Sequence, residues 1–153
     1  MHYEVHLAVG DDTALNGVTL ECYNLDNEKI LRINKEGHFS GATADSDVCS
    51  YNGKDSSSFI TGARLRSEAP QTSDGDDTGS NSIEMKCGAG ATIRTAFDGY
   101  YGDWSDWVSC PDGMAIDGMN VQIEPPVEGD DTAMNGIKFS CSPVAGRKSP
   151  LIF

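Results

Sequence analysis

One eight-residue phrase occurs three times in this chain and constrains its fold more than any other feature. It reads GDDTALNG from Gly10, GDDTGSNS from Gly75 and GDDTAMNG from Gly129. Each copy continues into an alternation of apolar and polar residues that ends in a cysteine, as VTLEC, IEMKC and IKFSC. Because every copy leads into the same kind of segment, the sequence predicts a molecule built from three related units.

The apolar residues outside these copies follow the same two-residue period, as in EKILRI, ARLRSE, ATIRTAF and MNVQIE. That period is typical of strands with one face towards a core and the other towards water. The intervening segments are rich in Gly, Asp, Ser and Asn, which favour turns. We therefore predict an all-β chain with about ten to twelve short strands.

The repeated phrase is interpreted as a corner between two strands, because Asp and Thr side chains bond to nearby backbone groups in tight turns. The corner residues are Asp11, Asp12, Asp76, Asp77, Asp130 and Asp131, and Asn16, Asn81 and Asn135 suit a second bend. A calcium loop is the functional alternative, but it requires more clustered oxygen ligands than two acids per copy provide. We predict turns and no metal site.

The length and net charge of the chain limit the kinds of partner that it can bind. The chain has 153 residues, which suits one domain, and its 24 acidic against 11 basic residues give a net charge of -13. Such a charge repels nucleic acid and anionic membrane surfaces, so we expect neither as a partner. There is no apolar leader at Met1 and no apolar run long enough for a membrane span, so no membrane insertion is expected.

Five cysteines recur at related positions, without any C-x-x-C spacing and with the histidines scattered, which favours disulfides over metal binding. Disulfides indicate an oxidising environment, so we expect a secreted, extracellular protein.

A cluster of aromatic and acidic residues is the best candidate for a carbohydrate site. It consists of Tyr100, Tyr101, Gly102, Asp103, Trp104, Asp106 and Trp107. Aromatic faces stack on sugar rings and carboxylates accept hydroxyl hydrogen bonds, while Gly102 and Asp106 fit the G-x-x-x-D spacing of jacalin-like lectins. The alternative is that both indoles fill the core, since residues at i and i+3 of a strand share a face only across a bulge.

The sequence contains no recognisable set of catalytic residues. His2, His6 and His38 belong to no recognisable triad, no G-x-S-x-G turn occurs, and no carboxylate pair stands out among 24 acids. We expect no cofactor, and an enzyme is the less favoured interpretation.

Three stretches resemble the vitelline membrane outer layer protein I family. They are DDTALNGVTLEC, GARLRSEAPQTSDGDDTGSNSIEMKC and YGDWSDWVSCPDGMAIDGMNVQIEPPVEGDDTAMNGIKFSC. The resemblance implies a β-prism of three Greek-key sheets with pseudo-threefold symmetry, and a secreted structural role in an egg coat, shell or similar matrix, with glycans or matrix glycoproteins as partners. A lectin with a defined sugar site and a weak chito-oligosaccharide transferase are the alternatives.

Aligned on the repeat, the chain is one domain over 1–153, with units at about 1–22, 23–87 and 88–141 and a tail at 142–153. On this alignment we expect the first unit to be incomplete at its N-terminus. Thr43 and Ser46 stand where the third unit has its two tryptophans, so a tryptophan site is not repeated around the prism.

The resemblance also implies the disulfides Cys49–Cys87 and Cys110–Cys141, which leaves Cys22 unpaired. A bond from Cys22 to Cys49 is the competing scheme. The first unit could be completed by an upstream segment or a partner chain, or its core could be covered by the tail.

Overall fold

The computed structural model describes residues 2–3, 15–36, 42–43, 48–51, 55–69, 79–94, 101–123, 125 and 134–144. Within these ranges the chain forms eleven strands and one short 3₁₀ helix, Ser56–Ser58. The strands are β1 His2–Tyr3, β2 Leu15–Tyr23, β3 Lys29–Glu36, β4 Ala42–Thr43, β5 Ile60–Ser67, β6 Ser80–Cys87, β7 Thr92–Arg94, β8 Asp103–Trp104, β9 Val108–Ser109, β10 Met114–Ile123 and β11 Met134–Pro143. The all-β prediction is confirmed. The described ranges contain no helix that is long and apolar enough to cross a membrane.

The strands form three antiparallel sheets. The first sheet has the order β3-β2-β1-β4, and the second has the order β7-β6-β5-β8, with β9 also paired to β5. In both sheets three neighbouring strands are followed by a strand that returns to lie beside the first, which is a Greek key. The third sheet contains β10 and β11.

The repeat appears in the structure as three strands that begin at equivalent residues. β2 begins at Leu15, β6 at Ser80 and β11 at Met134, and each of these residues lies two positions after the Thr of its GDDT copy. The GDDT corners, with the six aspartates assigned to them, lie outside the described residues.

The core is made by the inward positions of these three strands. Two positions of the repeat are occupied by Val18, Ile83 and Ile137, and by Leu20, Met85 and Phe139. Val18 and Ile83 are fully buried, and Ile137 and Phe139 pack partly buried against the same cluster. Because equivalent residues from all three sheets meet in one core, the predicted pseudo-threefold prism describes the fold.

The prediction that the asparagine of each repeat lies at a bend is wrong. Asn16, Asn81 and Asn135 are each the second residue of a strand, because the extended chain starts one residue earlier than the turn chemistry suggested. Asn16 is buried, and neither atom of its side-chain amide has a hydrogen-bond partner in the part of the chain that the structure describes. Buried amides are usually hydrogen-bonded, often to ordered water.

Two disulfides connect successive sheets. Cys49, between β4 and β5, is bonded to Cys87 at the end of β6, and Cys110, just after β9, is bonded to Cys141 in β11. These are the pairs that the resemblance implies, and the Cys22–Cys49 scheme does not occur. Each bond thus fastens the segment that leaves one sheet to the cysteine-bearing strand of the next.

Cys22 is the one cysteine of the five that forms no disulfide, and its thiol is free and half-buried. Burial raises the pKa of this thiol, and the nearby Asp117 carboxylate acts in the same direction. A thiol with a raised pKa is mostly protonated near neutrality and is therefore a weak nucleophile.

Candidate functional site

A row of three charged residues crosses the outer face of the second sheet. Arg64 of β5 is paired with Glu84 of β6, and Glu84 is paired in turn with Arg94 of β7. Ala63, the neighbour of Arg64, belongs to the core. Because side chains alternate along a strand, Arg64 and its cross-strand partners lie on the opposite face of this sheet.

Glu84 is held by both arginines. Arg64 donates from Nε to Oε2 of Glu84 at 2.6 Å, and Arg94 donates from Nη2 to Oε1 at 3.2 Å. Glu84 is only 5% exposed. A buried carboxylate is costly unless it is paired and hydrogen-bonded, so the two guanidinium groups make this position tolerable.

The two indoles complete the arrangement. Cζ of Arg64 lies 4.8 Å from the ring centroid of Trp104 and 4.9 Å from that of Trp107, and Cζ of Arg94 lies 5.4 Å from the Trp104 centroid. All three distances are within the range of a cation–π interaction. We call Arg64, Glu84, Arg94, Trp104 and Trp107 the indole–guanidinium cluster.

A break between two short strands allows both indoles to contact one arginine. β8 ends at Trp104 and β9 begins at Val108, and Ser105 between them exchanges two hydrogen bonds with Leu65. The Ser105 amide donates to the Leu65 carbonyl at 2.8 Å, and the Leu65 amide donates to Oγ of Ser105 at 3.2 Å. This interruption serves as the bulge that a shared face requires.

The alternative that the indoles fill the core is therefore not what the structure contains. Trp104 and Trp107 are half-buried and lie against Arg64, outside the cluster of buried core residues. They cover the ionic row instead, because the guanidinium groups offer their rings an electrostatic partner that the aliphatic core does not.

Gly102 has a structural reason of its own. Its φ is +84°, and a Cβ atom at this position would lie 2.2 Å from the carbonyl oxygen of Ser67. The Gly102 carbonyl also accepts a hydrogen bond from Nε of Arg66 at 3.0 Å. The backbone of β5 thus lies too close to Gly102 for a larger residue. The glycine is explained by this contact, without the lectin-like spacing.

The remaining candidate residues lie around the indoles. Asp103 and Asp106 are exposed, and Tyr101 is 41% exposed. Tyr100 lies outside the described residues. Segment 101–107 therefore carries two indoles that contact Arg64 and two carboxylates that are exposed. Flat apolar rings and hydroxyl acceptors are the groups that a sugar site requires.

Sequence reasoning missed Arg64, Glu84 and Arg94. In ARLRSE, SIEMKC and ATIRTAF these residues look like ordinary solvated positions of alternating strands. The signal that could have found them is the cross-strand pairing of opposite charges within a predicted Greek key, together with aromatic residues on its returning strand. Among the described residues, no group of three His, Cys, Asp or Glu side chains is placed to hold a metal ion.

Comparison with known proteins identifies a family. The model of the family described as Vitelline membrane outer layer protein I matches residues 1–98 and 91–150. A protein of Mus musculus named vitelline membrane outer layer protein 1 homolog is 35% identical over 137 residues, covering 86% of this chain and 63% of the mouse protein. The Homo sapiens protein of that name is 33% identical over 90 residues, covering 55% of this chain and 45% of the human protein. The chain thus matches less than two thirds of the length of either relative.

Proposed function

Because the chain belongs to the vitelline membrane outer layer protein I family, we propose that it is a secreted structural protein of an egg coat or similar extracellular matrix, and that it contacts glycans of that matrix. The family description and the names of the relatives support the egg-coat role. Two disulfides that join successive sheets support an extracellular location, because such bonds persist in oxidising compartments.

The glycan contact is proposed at the indole–guanidinium cluster and the neighbouring segment 101–107. The observation that carries it is the placement of Trp104 and Trp107 on the outer face of a sheet, in a segment whose Asp103 and Asp106 are exposed. An indole on an outer surface offers an apolar face to the C–H groups of a sugar ring, and carboxylates accept bonds from its hydroxyl groups. Tyr100, in the same segment, is included on sequence grounds.

A glycan array probed with the labelled, disulfide-bonded protein tests this contact. We expect retention on glycans of extracellular matrices, and reduced retention for Asp106→Ala. Asp112→Ala is the matched control, because it removes an exposed carboxylate from the turn before β10, outside both the cluster and segment 101–107. The proposed contact would be contradicted if the wild-type protein bound no glycan on the array, or if Asp106→Ala bound as well as the wild-type protein does.

The array also separates the structural role from a lectin. Broad, weak retention on related matrix glycans is expected of a matrix component. One defined sugar, bound strongly and lost in Asp106→Ala, would instead establish the lectin. Release of new products from chito-oligosaccharides, followed by mass spectrometry, would establish the transferase.

A further inference from the structure

We infer that Trp104 is a site of C-mannosylation, in which a mannose is joined to atom C2 of the indole ring by a carbon–carbon bond. The segment Trp104-Ser105-Asp106-Trp107 has the Trp-x-x-Trp form of the acceptor for this modification, whose first tryptophan receives the sugar. The inference rests on the proposed function only for entry into the secretory pathway.

The transfer balances without an oxidant or reductant. The donor is a mannose carried by a polyprenyl phosphate. The bond from sugar C1 to the phosphate oxygen breaks and its electron pair leaves with the polyprenyl phosphate. Sugar C1 then forms a bond to indole C2, and the hydrogen of C2 is lost as a proton.

The position of Trp104 in the fold is compatible with a permanent sugar. Trp104 is half-buried on the outer face of the second sheet and does not belong to the buried core. A sugar attached to an indole in a packed core would need a cavity of its own. On the outer face it extends the indole–guanidinium cluster instead.

Arg64 supplies a partner for the added hydroxyl groups. Its guanidinium carries five N–H donors, and it uses Nε and Nη2 on Glu84. Nη1 makes no hydrogen bond within the described part of the chain, and the Arg64 side chain is 27% exposed. Since Cζ of Arg64 lies 4.8 Å from the Trp104 ring centroid, mannose hydroxyl oxygens on that ring come within reach of unused donors.

The test is to express the full chain behind a heterologous secretory leader in cultured animal cells and to analyse the peptide that spans Trp104 and Trp107 by tandem mass spectrometry. We expect the added mass of one hexose on Trp104, which fragments by cleavage across the sugar ring. The same chain made in the bacterial cytoplasm supplies the unmodified reference. An unmodified peptide from animal cells overturns the inference, and so does a hexose that is lost whole, as from Ser105 or Ser109, or one that is confined to Trp107.

Three variants sharpen the test. Trp107→Ala destroys the acceptor pattern and is expected to abolish the hexose on Trp104. Val108→Ala changes an exposed neighbour outside the pattern and is expected to keep it. Arg64→Lys weakens the folded cluster but leaves the pattern intact, so it is also expected to keep the hexose.

The cell-associated chain is analysed beside the secreted chain, because a variant that folds poorly is retained after the sugar has been added. Loss of the hexose in Val108→Ala, or its persistence in Trp107→Ala, contradicts the inference. The heterologous leader directs the chain into the secretory pathway. Finding no hexose on Trp104 would therefore contradict the modification without contradicting the proposal that the natural protein is secreted. The glycan array, which can be probed with bacterial protein, tests the proposed function separately.

Discussion

The first and second sheets share one strand order but carry different chemistry on equivalent residues. Glu84 and Arg94 form an ion pair across β6 and β7, whereas the same pair of positions in the first sheet holds Thr19 and Asn34. Oγ1 of Thr19 donates to Oδ1 of Asn34 at 2.7 Å. A neutral, exposed hydrogen bond therefore stands where the second sheet has a buried carboxylate between two guanidinium groups.

The difference teaches that a sheet of this strand order can form without an indole–guanidinium cluster. The first sheet forms its Greek key with Thr43 and Ser46 at the sequence positions of the two tryptophans. The cluster contains a buried charge, which is costly, and the strand order of the sheet forms without it. Its presence is therefore better explained by a ligand that contacts the outer surface of the second sheet. We therefore expect the two sheets to differ in stability and in binding.

The largest expected difference concerns the cysteines. Replacing Cys49 and Cys87 together by serine opens a bond that spans 38 residues, and the chain-entropy relation gives a loss of about 4 kcal/mol in the free energy of unfolding. Cys22→Ser, at the equivalent position of the first sheet, breaks no bond, so we expect a loss below about 1 kcal/mol. Denaturant unfolding of both variants checks this, and equal losses would contradict it.

Next in size is the substitution Glu84→Gln. It leaves two guanidinium groups beside a neutral amide, and because both arginines are partly exposed we expect a loss of about 3 kcal/mol, at the low end for a broken buried ion pair. Thr19→Val is the control in the first sheet, where removing one exposed hydrogen bond should cost about 1 kcal/mol or less. Urea unfolding measures both. A smaller loss for Glu84→Gln than for Thr19→Val would show that the ionic row does not stabilise the second sheet.

A smaller effect distinguishes the two indoles. Arg64 and Arg94 both lie over the Trp104 ring, whereas within the described ranges only the Arg64 guanidinium lies over the Trp107 ring. We therefore expect Trp104→Ala to lower the free energy of unfolding by about 2 kcal/mol and Trp107→Ala by about 1 kcal/mol. Denaturant unfolding of both variants shows which substitution costs more stability. A larger loss for Trp107→Ala than for Trp104→Ala would contradict the described stacking.

The smallest effect belongs to the exposed pair Glu21 and Lys29 at the end of the first hairpin, whose atoms Oε1 and Nζ lie 2.7 Å apart. The hydrogen bond from Lys29 lowers the pKa of the Glu21 carboxyl and raises that of the Lys29 ammonium. Stability from the pair is thus lost as pH falls through the lowered Glu21 pKa, and also as pH rises through the raised Lys29 pKa. Glu21→Gln should flatten this pH dependence slightly, and added salt should weaken it. An unchanged pH profile in Glu21→Gln would contradict the assignment.

Much of the fold follows from local sequence patterns. The two-residue period predicts the strands, and the three phrases predict that β2, β6 and β11 are equivalent, because alternation and turn chemistry are properties of short segments. The positions of Asn16 and Asn81 did not follow, since the residue at which an extended strand begins depends on tertiary pairing as well as on turn preference.

The candidate site was predictable only in part. The aromatic and acidic residues of 100–107 are visible in the sequence, but the face on which the indoles lie depends on the interruption at Ser105, and a period count assumes an unbroken strand. Arg64, Glu84 and Arg94 are distant from one another in the chain, so their meeting depends on the register of β5, β6 and β7.

The central claim, that the outer face of the second sheet contacts glycans, is tested most directly by the protein's own fluorescence. The chain has two tryptophans, and both belong to the indole–guanidinium cluster. A titration with a glycan retained on the array should therefore change the emission with a saturable dependence. Thr19→Val should respond as the wild-type protein does, and Asp106→Ala should respond more weakly. A glycan that binds without changing the indole emission, or equally to all three proteins, would place the contact elsewhere and contradict this account.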